Sequence, residues 1–186
     1  ERIWHVVLKV KYRFTKKNKH LITLSINTIS IVMFHIILYQ PEIPPNTGNI
    51  IRLCANTGCT LDLIEPLGFH WDHKALIRAG LDYHEFARIR KYKNWSLWRS
   101  DHQGSRVIAF TTKGSSRYDH FHFKSGDCLL FGPETRGLPK NVLEEFTQDL
   151  KLRIPMKHSS RSLNLSNTVS IAVFEAWRQL EFDGHQ

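Results

Sequence analysis

Three short stretches of this 186-residue chain concentrate groups suited to holding and acting on a ligand. The first, Asn46-Thr47-Gly48-Asn49-Ile50-Ile51-Arg52, combines a carboxamide with a guanidinium that stays protonated at physiological pH. The second, Gly132-Pro133-Glu134-Thr135-Arg136-Gly137-Leu138, sets a carboxylate and another guanidinium between two glycines. The third, Ile154–Asn167, reads Ile-Pro-Met-Lys-His-Ser-Ser-Arg-Ser-Leu-Asn-Leu-Ser-Asn and is dense in small hydroxyl and amide groups. Each stretch borders an apolar run, and a strand that ends in a polar loop and opens a helix is where open α/β sheets place ligands. The pattern is not that of a P-loop, a Rossmann dinucleotide site or a nucleophile elbow, because GxxxxGK[ST], GxGxxG after a strand, and GxSxG are all missing. Taken singly, each stretch has a plainer explanation: turn glycines and Pro133 in the second, helix caps in the third.

The elements that must position these loops follow from hydrophobic patterning. Phe34–Tyr39 is a short apolar run fit for a strand buried on both faces. Gln40–Asn46, with Pro41, Pro44 and Pro45, is expected as a stiff loop that cannot be helix, after which Asn46 or Thr47 caps a helix closed by Gly58. Strands are predicted at 60–65, 87–89, 106–110, 127–132 and 151–154. Helices are predicted at 73–79, 95–101, 139–146 and 165–180. Alternating strands and helices with short loops predict one α/β domain, a parallel sheet flanked by helices on both faces.

Composition is ordinary for a globular chain, at 41% hydrophobic and 23% charged residues. The net charge of +9 suits a polyanionic partner, yet residues 1–32 carry +6 of it and leave a mildly basic body. Residues 1–32 are expected to be an upstream extension preceding a natural start at Met33. A signal anchor and a true basic arm are the other readings. No apolar run reaches the roughly 18 residues of a membrane span, so no membrane partner is expected. Cys54, Cys59 and Cys128 form no CxxC and fit reduced, buried thiols of a cytoplasmic protein. The histidines form no HExxH, and no metal site is expected.

Together, in this order, the three stretches resemble the motifs of the SPOUT superfamily of RNA methyltransferases. Asn46, Gly48 and Arg52 match the first motif; Gly132, Glu134, Gly137 and Leu138 the second; Ile154–Met156 and Ser162–Asn167 the third. Pro-Glu-Ile-Pro-Pro-Asn-Thr-Gly-Asn and Ala-Gly-Leu-Asp-Tyr-His (residues 79–84) look like the minimal tRNA (cytidine/uridine-34)-2′-O-methyltransferase subgroup. The match covers Met33 to about Phe182, so residues 33–186 are expected to form one methyltransferase domain. The resemblance implies that the C-terminal segment ties a deep trefoil knot, which patterning alone would never suggest.

The resemblance also implies chemistry. S-Adenosyl-L-methionine would sit in the knot against Phe110, Gly132, Ile154, Ser162 and Leu163, with S-adenosyl-L-homocysteine as product. Gly132 would let backbone approach the ligand, and Phe110 and Ile154 would wall the adenine. A ribose 2′-hydroxyl of the tRNA wobble nucleotide would attack the methyl group. Arg52 would carry the family's catalytic role, or else be an ordinary outer-face helix arginine; its chemistry fits electrostatic stabilisation, phosphate positioning or onward proton transfer better than base catalysis. Glu134 orients the cofactor or Arg52, or caps a helix; Asn164 and Ser166 orient the ribose, or cap a helix. No metal is needed, because this transfer develops no charge that a cation must neutralise. Arg161, Lys157 and Arg136 are candidate RNA contacts. Trp71, Trp95 and Trp98 either stack bases or pack ordinarily. A homodimer is implied, for which Val169, Val173, Phe174 and Trp177 supply contacts or else simply pack the core. The competing readings are the same reaction on ribosomal RNA or another tRNA position, and a non-catalytic RNA-binding module of the same fold.

Overall fold

Apolar runs without polar alternation predict strands covered on both faces, and the computed structural model bears this out. It describes residues 34–72, 89–160 and 162–185. Among these residues seven strands form one sheet: β1 (His35–Tyr39), β2 (Thr60–Ile64), β3 (Ile89–Tyr92), β4 (Val107–Phe110), β5 (Ser116–Arg117), β6 (Cys128–Phe131) and β7 (Lys151–Arg153). Their order is β3-β2-β1-β6-β4-β7-β5, and every neighbouring pair is parallel. The helices are α1 (Pro44–Thr57), α2 (Trp95–Asp101), α3 (Lys140–Leu143) and α4 (Leu165–Gln179).

Successive strand residues point to opposite faces, which divides the core in two. Ile36, Leu38, Leu61, Leu63, Ile108, Phe110, Leu129 and Leu152 pack with Ile50, Ile51 and Cys54 of α1 and Val169, Ala172, Val173 and Ala176 of α4. Ile37, Ile64, Val107, Ala109, Cys128 and Leu130 pack on the other face with Trp95 and Trp98 of α2 and with Val142 and Phe146. Trp95 and Trp98 are therefore core residues, stacked on each other at 5.1 Å, and not platforms for bases. Val169 and Val173 are likewise buried within this chain, which leaves Phe174 as the exposed member of the expected α4 contacts. Cys54, Cys59 and Cys128 are all free and buried; burial pushes the Cys128 thiol up to about 12.

Several boundaries differ from expectation. Helix α1 begins at Pro44, inside the stretch read as incapable of helix. Proline is excluded from helix interiors because it lacks an N–H, but the first-turn N–H groups have no intrahelical partner to lose. Pro44 and Pro45 occupy those positions, the N-cap is Ile43, and Asn46 and Thr47 lie buried inside the helix instead of capping it. The third strand falls at Ile89–Tyr92, later than predicted, and residues 87–88 lie outside the described ones. Only Lys140–Leu143 of the predicted 139–146 helix is helical, with Pro139 as its N-cap. Strand β5 was not anticipated; two residues are too few to show a period. The 73–79 helix, the 79–84 stretch and residues 1–32 lie outside the described residues.

Against the Trp98 side of the sheet, Asp62 is fully buried and accepts from Arg90 Nε (2.9 Å), Arg90 Nη2 (3.0 Å) and Trp98 Nε1 (2.7 Å). Nearby, His35 Nδ1 shares a 2.8 Å hydrogen bond with Thr60 Oγ1. Burial, with Arg90 and His102 adding and Asp62 opposing, holds the His35 imidazole below its usual range. The unfolded chain therefore takes up this proton at higher pH than the folded one. The His35 contribution to stability is complete above about pH 6.5, the unfolded value, and is lost as pH falls through the depressed folded value. Urea midpoints at pH 7.5 and 5.5 are expected to differ more for the parent than for His35→Gln; equal differences would remove His35 as the titrating group.

Candidate active site

In a fully parallel sheet all strand C-termini lie on one edge, so the loops after β1, β4, β6 and β7 converge there. Between them is a cavity of about 230 Å³. Phe110, Thr111 and Thr112 line it from the end of β4, residues 132–138 from the end of β6, and Ile154, Met156, Ser162 and Leu163 from the end of β7. Leu165 and Thr168 of α4 complete the wall. Met156 and Leu163 are 37% and 40% exposed, large apolar side chains that offer contact to an apolar ring at this wall. All five residues expected to bind the cofactor lie in this wall.

The three motif stretches meet through one side chain. Asn46 Nδ2 donates to Glu134 Oε1 at 2.9 Å, and Asn46 Oδ1 accepts from Asn164 Nδ2 at 2.8 Å. Glu134 also accepts from the backbone N–H groups of Glu42 (2.8 Å) and Ile43 (3.2 Å). It thus supplies the start of α1 with the acceptor that Ile43, an apolar N-cap, cannot, and a carboxylate is favoured there by the helix dipole. Asn164 caps α4: its Oδ1 accepts from Ser166 N at 2.9 Å and Ser166 Oγ at 2.8 Å. For Glu134 and Asn164 the capping alternative is the one the contacts display, whereas Ser166 lies inside α4 and donates its hydroxyl to the Asn164 cap.

Arg52 is not in the cavity wall; it stands on the exposed side of α1, opposite the buried residues Ile50, Ile51 and Cys54. Arg136 lines the cavity and is 58% exposed, but its head is engaged within the chain. Nη2 donates to Gln40 Oε1 at 2.9 Å and Nε lies 3.7 Å from Glu42 Oε1. Lys157 is exposed beyond the cavity wall, and Arg161 lies outside the described residues.

Gly132 has a different reason from the one expected. A Cβ there would meet Leu138 N at 2.4 Å and the Gly137 carbonyl carbon at 2.6 Å. The close approach that requires glycine is between the loop and itself, before any ligand is considered. Residues missed from sequence are Glu42, Gln40 and Thr135. Glu42 Oε2 accepts from Thr135 N (3.0 Å) and Thr135 Oγ1 (2.6 Å). The Thr135 hydroxyl, joined by its amide and by Arg136, holds the Glu42 carboxyl below the usual carboxylate range. The available signal was an acid placed between prolines in Pro41-Glu42-Ile43-Pro44.

Residues 33–174 match the sequence model of the SpoU rRNA methylase family. The chain belongs to this family. A relative from Methylovorus glucosotrophus named tRNA (cytidine(34)-2'-O)-methyltransferase is 55% identical over 152 residues, covering 82% of this chain and 99% of its own length. Among SpoU-family and related structures, one described as "Structural insights into the 2-OH methylation of C/U34 on tRNA" aligns at a TM-score of 0.74. It is 45% identical, covering 81% of this chain and 97% of that one. An AdoMet-bound rRNA methyltransferase from Sinorhizobium meliloti aligns at a TM-score of 0.67 and 28% identity, over 79% of this chain and 56% of that one.

Glu134→Ala strips the acceptor from the Glu42 and Ile43 N–H groups and from the Asn46 amide. A loss of about 1–3 kcal/mol of unfolding free energy is expected in urea. Glu134→Gln, which keeps one acceptor oxygen, is expected to lose less, and equal losses would show that hydrogen bonding is not what Glu134 provides.

Proposed function

We propose that this chain transfers a methyl group from S-adenosyl-L-methionine to the ribose 2′-hydroxyl of the wobble nucleotide (position 34) of tRNA. The observation that carries the reading is the meeting of all three motif loops through Asn46 beside one cavity. The relative with the corresponding name, 55% identical over almost its whole length, supports the substrate.

The cavity wall fits the cofactor. Phe110, Ile154 and Leu163 offer apolar surface for an adenine, and Thr111, Thr112 and Ser162 offer hydroxyls for its polar edges. When bound, the cofactor supplies an electrophilic methyl on a sulfonium. The chain must then place the ribose hydroxyl and stabilise negative charge as its proton leaves. Arg52, always protonated, is suited to that electrostatic task and to holding an adjacent phosphate. Asn164 and Glu134 act through Asn46 by fixing the relative positions of α1, α4 and the cofactor loop. Lys157 and the exposed edge of Arg136 carry the charge to meet RNA phosphates, and Arg161, outside the described residues, is a candidate by its charge alone.

The reading includes a C-terminal trefoil knot, a homodimer and a cytoplasmic site of action. The strand order supports the knot: β7 lies between β4 and β5, so the segment that joins those two strands crosses it, with Gly114 packed where a Cβ would meet Lys151 O at 2.7 Å. A second copy is supported by Arg52 facing outward from its own cavity and by Phe174, 47% exposed on α4 beside Trp177. The cytoplasmic site is supported by tRNA as substrate and by buried free thiols.

Arg52→Ala is expected to keep AdoMet affinity by calorimetry and to lose roughly 100-fold or more in turnover; full turnover would remove Arg52 from the mechanism. Incubation with labelled AdoMet and total tRNA, followed by mapping of the methylated nucleotide, is expected to place the label at the wobble ribose. Label at another position, or only on ribosomal RNA, would overturn the substrate assignment.

A further inference from the structure

Two carboxylates are exchanged between the loop after β1 and the loop after β6. Glu134 leaves the second loop to accept from the Glu42 and Ile43 N–H groups of the first. Glu42 leaves the first to accept from the N–H and hydroxyl of Thr135 in the second. Each acid caps backbone adjacent to the other, and the two ties are not equivalent. The Glu134 tie holds the start of α1. The Glu42 tie holds Thr135 and Arg136, which line the cavity, although Glu42 itself does not.

The first loop is braced from behind. Gly68 N donates to Pro41 O at 2.9 Å, Gln40 N donates to Ile64 O at 3.0 Å, and a Cβ on Gly68 would meet Glu42 Cα at 2.8 Å. Gln40 is a non-glycine residue at φ 49, a conformation that costs free energy unless its surroundings impose it. From there its side-chain oxygen receives Arg136 Nη2. The loop therefore acts as a rigid arm from the end of β1, braced by the end of β2, with Glu42 reaching to the cavity wall.

We propose that Glu42 is a positioning residue: its carboxylate fixes Thr135 and Arg136 to the start of α1, so that the cofactor wall and the helix bearing Arg52 are held as one unit. This deepens the methyltransferase reading and rests on it for the identity of the ligand. The Glu42 side chain is 22% exposed and outside both core clusters, so replacing it leaves the sheet packing intact.

The test compares Glu42→Ala and Glu42→Gln in the full chain, using AdoMet alone as the probe. Glu42→Ala is expected to melt within a few degrees of the parent, to raise the AdoMet Kd about tenfold, and to gain no further loss from Thr135→Val, since partners of one interaction are non-additive. Glu42→Gln, whose amide oxygen still accepts both Thr135 bonds, is expected to stay near the parent. Hydrogen exchange without ligand is expected to show Glu42→Ala losing protection at residues 134–137 and at the first turn of α1 together. Parent-like Kd in Glu42→Ala, full additivity with Thr135→Val, or exchange changes confined to one loop would each overturn the proposal. If the parent protein binds no AdoMet, the methyltransferase reading fails, and the exchange result still decides whether Glu42 joins the two loops.

Discussion

The Asn46 carboxamide is the contact on which the candidate site depends. Its two ends face different partners, an acceptor 88 residues away in Glu134 and a donor 118 residues away in Asn164. A carboxamide carries its donor and its acceptor on separate atoms, so one side chain can donate to a carboxylate and accept from another amide at once. An aspartate at this position would set two negative charges against each other, and a serine would not span both partners. Asn46 lies 4% exposed in the first turn of α1, where the low local dielectric strengthens both bonds and makes either one costly to leave unmade. Closing loops of this length is entropically expensive, and that cost is met by the sheet, which brings the strand ends to one edge before the polar contacts form.

From that contact the electrostatics of the edge follow. Helix α1 opens with two prolines, which remove two donors from its first turn, and the Asn46 and Thr47 N–H groups return to Ile43 O. The remaining donors, at Glu42 and Ile43, point out of the helix toward the second loop. Glu134 accepts there, and its charge is stabilised by the positive end of the helix dipole. Glu42 answers with its own carboxylate on Thr135. Two acids thus sit close together without mutual repulsion dominating, because each is engaged by donors of the opposite loop. Arg136 beside Glu42 adds a compensating positive charge.

The fold was largely legible because strands buried on both faces leave uninterrupted apolar runs, as at Phe34–Tyr39 and Cys128–Phe131. The site was legible as three stretches and as a cavity wall, since Phe110, Gly132, Ile154, Ser162 and Leu163 all fall on it. What sequence could not convey was direction. Patterning cannot show that Arg136 turns back to Gln40 and Glu42, or that Arg52 faces outward, because both depend on rotamers and on which face a helix buries. The start of α1 lies earlier than a proline-rich stretch suggests, because Pro44 and Pro45 occupy the first turn, where a missing N–H costs no intrahelical bond. Glu42 escaped notice because an acid in a proline-rich loop has no periodic context and its partner lies 93 residues onward.

The glycines bear on how such a site can vary. At Gly132 and Gly114 an added Cβ would strike backbone, at 2.4 Å and 2.7 Å, in segments that border the cavity or the strand beside it. At these two points the edge is main chain packed on main chain, where a larger side chain has no room. On the proposed reading, affinity for an adenine-like ring would depend on the apolar side chains of the wall, Phe110, Ile154 and Leu163 among them. Selectivity toward the second substrate would, on the same reading, rest on side chains outside the packed backbone such as Arg52, Lys157 and the exposed edge of Arg136. The two recognition tasks are on that reading divided: the cavity wall is set by the fold, and the exposed basic side chains can change without disturbing it.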